Sequence, residues 1–179
     1  MPELNIQFRV LTTKDDRSAF CCGNIELDRF FQRYAGQNQF RHHIGITYIL
    51  LTDNKIVGFI TVSAGEIAVD DLPSQSRQRL PEYPLPVMRI ARLAIDKQFQ
   101  ELGLGKKILR SSFELALNMK AQYGCIGIVV DAKQESIVFY HNLGFLTLET
   151  LAGELGDRPQ PKPMFLSIKT IEQAIKRDK

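Results

Sequence analysis

The chain has 179 residues, 23 lysines and arginines against 20 acids, and a formal net charge of +3; 44% of its residues are hydrophobic and 24% charged. These proportions exclude a disordered chain and suit one domain, residues 1–179, able to bury most of its apolar surface. No apolar run nears the ~20 residues of a membrane span, the start M-P-E-L-N lacks the parts of a signal peptide, and Cys21, Cys22 and Cys125 have no metal-like spacing; a cytoplasmic chain without metal is expected.

Residues 5–11 alternate as a first strand. In F-C-C-G-N-I-E-L-D-R-F-F-Q-R-Y, Asn24 suits an N-cap, Glu26 and Asp28 suit a first helical turn, and Leu27, Phe30, Phe31 and Tyr34 repeat at i, i+3, i+4, i+7. That aromatic face is expected in the core. A second helical piece over residues 38–43 leaves Arg33, Arg41, His42 and His43 on or near its exposed side. Thr47–Leu51 and Ile56–Ala64 read as a hairpin closed by the turn Thr52 to Lys55. Between Ala68 and Pro86, prolines 73, 81, 84 and 86 predict a loop with room for one short helix, of the structured kind that commonly carries function.

Ile90–Ile95 is the central strand, turning at Asp96-Lys97 into Gln100-Glu101-Leu102-Gly103-Leu104-Gly105 and a long helix. On a helical wheel Leu104, Ile108, Leu109, Ser112, Phe113, Leu115, Ala116 and Met119 share one half, Lys106, Lys107, Arg110, Glu114 and Asn118 the other, and only Leu117 breaks the division. Cys125–Asp131 reads as a buried strand, 135–143 as a helix capped by Gly144, and 145–148 as a strand. A Gly- and Pro-rich loop (Gly153–Pro163), a last strand (Met164–Ile168) and a frayed helical tail complete the order. This is an α/β chain with a mixed sheet.

Two glycines spaced one apart at a helix start leave backbone N–H groups uncovered, where the helix dipole adds roughly half a positive charge. Such a place binds phosphate, although the pair could equally shape a tight turn. A Walker loop and a dinucleotide fingerprint both need glycine spacings that this chain lacks.

R-L-A-I-D followed by Gln100-x-x-Gly103-x-Gly105 resembles the acyl-CoA pyrophosphate loop of the GNAT-type N-acetyltransferases, usually written Q/R-x-x-G-x-G/A. F-Y-H-N-L-G-F is similar to a second block of that family. The resemblance implies a GNAT fold, with a mixed, mostly antiparallel sheet and helices on both faces, and acetyl-CoA as co-substrate. By position, Leu93, Ala94 and Ile95 would offer backbone groups to the pantetheine arm. Gln100, Glu101, Leu102, Gly103, Leu104, Gly105 and Lys106 would hold the pyrophosphate, and Tyr140 would lie beside the thioester sulfur. Many relatives have glycine where this chain has Glu101, and a carboxylate beside a diphosphate repels it unless it points away.

A phenol of pKa ~10 is protonated at neutral pH and suits a general acid for a departing thiolate; the alternative is that Tyr140 only packs. No carboxylate stands out as base, Glu66 and Glu135 being possible. F-C-C-G-N-I-E-L-D, the Pro-rich loop and both blocks together resemble the acetyltransferase toxins of type II toxin–antitoxin modules. This implies acetylation of the α-amine of aminoacyl-tRNA and a ribbon-helix-helix antitoxin as partner; the sequence leaves a homodimer open. Arg77 and Arg79, with Arg33, Arg41 and Arg89, are candidate contacts to RNA. A protein or small-amine acceptor, and an acyl-CoA-binding module without turnover, remain open as alternatives.

Overall fold

The computed structural model describes residues 3–148 and 161–179. Seven strands form one sheet in the order β1-β2-β3-β4-β5-β7-β6. They are β1 (Ile6–Val10), β2 (Ile46–Thr52), β3 (Lys55–Ile67), β4 (Leu85–Ile95), β5 (Gly127–Ala132), β6 (Leu146–Thr147) and β7 (Lys162–Ser167). β1/β2, β2/β3, β5/β7 and β6/β7 are antiparallel, and β4/β5 is parallel. The helices are α1 (Ile25–Arg29), α2 (Leu104–Gln122), α3 (Ile137–Asn142) and α4 (Ile168–Arg177). Contacts divide the chain into two units, Met1–Ser63 with Ala91–Ser112, and Ala64–Ile90 with Phe113–Lys179.

In the first unit the hairpin turns at Asp53 and Asn54, both with positive φ (48° and 63°). This is the doubly left-handed geometry that matches strand twist, and Asn and Asp tolerate it best after glycine. Asn24 caps α1 as expected, its Oδ1 accepting from Leu27 N at 3.1 Å. The helix then widens into π-turns at Phe30–Tyr34 and Gln37–Arg41. Phe30 and Phe31 are buried, and Phe31 stacks on Phe59 at 4.3 Å with Phe20 edge-on at 4.8 Å, contacts worth about 0.5–1.5 kcal/mol each beyond their area. Tyr34 departs from the expected aromatic face and is 45% exposed. A π-turn takes more residues than an α-turn, so seven residues after Leu27 no longer close two full turns.

α2 follows its wheel. Leu104, Ile108, Leu109, Ser112, Phe113 and Ala116 are buried, Leu115 and Met119 half-buried, and Lys106, Lys107, Arg110, Glu114 and Asn118 exposed.

In the second unit Val87, Val129 and Phe165 form a core with Leu72 and Leu85. A Cβ on Gly127 would stand 2.3 Å from Leu166 O and 2.5 Å from Phe165 Cε2, so only glycine lets β5 and β7 approach this closely. The segment expected to be one loop from Ala68 to Pro86 holds two 3₁₀ turns, Val69–Asp71 and Ser74–Ser76, and β4 already begins at Leu85. The expected helical tail is present as α4, and its start is capped rather than frayed. Ser167 Oγ accepts from Thr170 N at 3.2 Å, Ile171 is fully buried, and Lys120 pairs with Glu172. Most of the expected Gly/Pro-rich loop lies outside the described residues.

Candidate active site

The loop leading into α2 is shaped by side chains that face its own backbone. Asp96, 3% exposed, caps the 3₁₀ turn Lys97–Phe99 by accepting from Gln98 N at 3.0 Å, and also accepts from Cys21 N at 3.2 Å. Lys97 N donates to Cys21 O and Asp96 N to Val57 O. Gln100 Nε2 donates to Cys22 O at 2.8 Å and to Ile95 O at 2.9 Å. Its amide N–H groups are therefore spent on the fold, and what the loop can offer a ligand from here onward is mainly backbone.

Glu101 and Gly103 are both left-handed, with φ of 63° and 78°. Nothing lies within 4 Å of a Cβ built on Gly103, so conformation rather than crowding calls for glycine there. Glu101 occupies with a carboxylate an equally glycine-like position, and it is exposed along with Leu102. Lys107 N donates to Gly103 O at 3.1 Å, so the amides of Leu104, Gly105 and Lys106 have no partner within the helix. An open depression of about 400 Å³ beside them is lined by Gly103, Lys106, Lys107, Arg110 and Ser111. Bare amides, a helix N-terminus and exposed lysines together fit a diphosphate. In β4, whose ladder with β5 covers Met88–Ile90, Leu93, Ala94 and Ile95 lie past the paired residues; Ala94 is buried, Leu93 and Ile95 half-buried.

In the second unit Tyr140 sits near the end of α3. Gly144 (φ 96°) closes the helix, with Leu143 N and Phe145 N both donating to Tyr140 O at 3.1 Å. The Tyr140 ring, 6% exposed, meets Phe139 and Phe145 edge-on at 5.1 and 5.3 Å. Burial pushes its phenol up to about 12. It therefore stays protonated across the physiological range, the state a proton donor needs. Glu66 and Glu135 are both exposed.

The arginines separate. Arg77 Nε donates to Leu72 O at 2.7 Å, and Arg77 lines a cavity of about 430 Å³ with His141 and Thr147. Arg79, left-handed at φ 65°, lines a different cavity of about 750 Å³ with Cys125, Phe165 and Lys169. Arg89 pairs with Asp131 at 3.1 Å. No group of histidine, cysteine or carboxylate side chains among the described residues could hold a metal.

Sequence reasoning missed Arg92, whose guanidinium lies 3.8 Å from the Phe30 ring centroid. It also missed the tie between Cys21-Cys22 and residues 96–100. Both depend on partners far away in the chain, and no local signal marks them.

No helix of the described residues is long and apolar enough to cross a membrane. Residues 43–146 match the Acetyltransferase (GNAT) domain. The chain is similar to a Mycobacterium tuberculosis protein named tRNA-acetylating toxin, 29% identical over 138 residues, covering 76% of this chain and 82% of that one. A Sinorhizobium fredii protein named probable toxin TacT is 25% identical over 173 residues, 90% of each chain. Among solved structures, one described as AtaTR bound with AcCoA superposes with a TM-score of 0.76 at 25% identity, covering 95% of this chain and 98% of the other. With more than half of its length matched by that domain, the chain belongs to the GNAT acetyltransferase family.

Proposed function

We propose that this chain is a toxin that transfers acetyl from acetyl-CoA to the α-amine of an aminoacyl-tRNA and so blocks translation. The observation that carries the reading is the left-handed turn at Glu101 and Gly103, which opens α2 with uncovered amides beside Lys106 and Lys107. The acceptor comes from the relative that acetylates tRNA, and acetyl-CoA as donor agrees with the neighbour bound to AcCoA.

In this reading Gln100 to Lys106 hold the pyrophosphate, with Gln100 acting through the backbone it pins. Leu93, Ala94 and Ile95 offer backbone groups to the pantetheine arm. The neutral amine attacks the thioester carbonyl, its nitrogen sheds a proton to solvent, and the carbon–sulfur bond breaks. Tyr140 gives its proton to the leaving thiolate and regains one from solvent. An α-amine titrates near ~7.7–8.0, so an appreciable fraction is already neutral and no dedicated base is required.

The whole chain, residues 1–179, acts as one catalytic domain in the cytoplasm, where its acceptor is found. A ribbon-helix-helix antitoxin neutralises it. Arg77 and Arg79 are assigned to RNA. Incubation of charged tRNA with labelled acetyl-CoA tests the reading: label is expected on the aminoacyl ester. Label only in protein or in a free amine rejects the tRNA acceptor, and no transfer at all favours a binding module.

A further inference from the structure

Residues 29–52 contain Arg29, Arg33, Arg41, His42 and His43 and no aspartate or glutamate. Of the chain's 23 lysines and arginines these three are the excess over its 20 acids, so this stretch carries the whole formal charge of +3.

The helical run that begins at Ile25 and ends at Arg41 turns those charges to one side. Arg29, Arg33, Gln37 and Arg41 recur every four residues, and all four are exposed. Four residues overshoot an α-turn by ~40°, but fall short of the wider π-turn with its i→i+5 hydrogen bonds. The run alternates α and π turns, so the two drifts oppose each other and the spacing of four stays on one face. Tyr34 and Phe40, 45% and 40% exposed, flank that row on either side.

Phe30, Phe31, Ala35 and Gln39 are buried on the other side. Gln39 locks it there, donating to Leu11 O at 3.0 Å and accepting from Thr47 N at 2.9 Å. Two residues beyond the run, His43 is held left-handed at φ 56°, a strain usually kept where it serves a site. Arg29, Arg33 and Arg41 make no ion pair or side-chain hydrogen bond with any described residue.

A rigid face of unpaired cations and exposed rings needs a partner with negative charge and flat apolar surfaces. A second copy meeting it about a two-fold axis sets cation against cation. We infer that this face grips the single-stranded RNA end that carries the acceptor amine, with phosphates along Arg29, Arg33 and Arg41 and unpaired bases on Tyr34 and Phe40. The inference rests on charged tRNA being the acceptor. It moves the main RNA contact from the Arg77/Arg79 segment to the helical run.

The test measures KM for charged tRNA, kcat and acetyl-CoA affinity. In Arg33→Gln/Arg41→Gln, KM rises at least tenfold and the slope of log KM against log salt falls by about 0.7 for each arginine removed, while kcat and acetyl-CoA affinity hold. Phe40→Ala raises KM several-fold with the salt slope unchanged, because stacking carries no charge. Gln37→Arg completes the row, lowering KM and steepening the slope. It also decides the matter where the double variant loses acetyl-CoA binding through misfolding.

Unchanged KM in every variant, with the wild type acetylating charged tRNA, overturns the inference alone. A change of molecular mass in the variants on sedimentation overturns it in favour of a second copy on this face. A wild type that never labels charged tRNA overturns the acceptor reading and the inference with it.

Discussion

In the loop that opens α2 the proposed cofactor contacts are backbone amides, whereas in the turn around Tyr140 the proposed chemistry rests on one side chain. The loop's informative side chains, Asp96 and Gln100, point at their own main chain and set its path. Its outward residues, Glu101 and Leu102, are exposed. Around Tyr140 the main chain only closes a short helix, and the surrounding rings set the state of a single phenol. A site made of amides tolerates new side chains but not a new backbone path. A site made of one hydroxyl behaves the other way round.

Tyr140→Phe keeps the ring and removes the proton, so it breaks the second plan at its one point. We predict a kcat loss of about a hundredfold or more, with acetyl-CoA affinity unchanged by calorimetry. The pH profile sharpens this. With the phenol up at about 12, the rate rises as the α-amine deprotonates near ~8 and then stays level through pH ~10. A fall between pH 8 and 10 contradicts a donor in this environment. The same raised pKa makes a stability contribution that is full below the unfolded value of ~10 and is lost as pH climbs through about 12.

Changes to the loop strike the first plan and are smaller. Gly103→Val forces a branched residue to φ 78° at a cost of about 1–2 kcal/mol, and acetyl-CoA affinity falls about tenfold while kcat at saturation is kept. Gln100→Glu replaces a donor of two hydrogen bonds with an acceptor facing two carbonyls, raising KM for acetyl-CoA several-fold. Gln100→Arg, still a donor, restores most of it. The smallest effect is Glu101→Gly, which relieves a left-handed residue and removes a carboxylate: thermal stability rises by about 0.5–1 kcal/mol and acetyl-CoA binds slightly tighter.

How far the chain could be read in advance followed the range of the interactions. α2 was legible because eight residues of its apolar half report the same face, and the hairpin was legible because Asp53-Asn54 is a local turn signal. Tyr34 was misplaced because a π-turn leaves no mark in a pattern judged at 3.6 residues per turn. α4 was underrated although Ser167 and Thr170 supply its cap, since the burial of Ile171 depends on tertiary packing. In the candidate site, the Gln-x-x-Gly-x-Gly spacing located the loop. The inward use of Gln100 was hidden because Cys22 lies 78 residues away. Arg77 and Arg89 could be counted as cations but not seen to be held by Leu72 O and Asp131.

The most direct test of the account is the single-turnover rate of acetyl transfer to charged tRNA at saturating acetyl-CoA, measured for the wild type and Tyr140→Phe alongside their acetyl-CoA dissociation constants. The account predicts matching dissociation constants and a rate at least a hundredfold lower in the variant. Equal rates, or a variant that no longer binds acetyl-CoA, would contradict it.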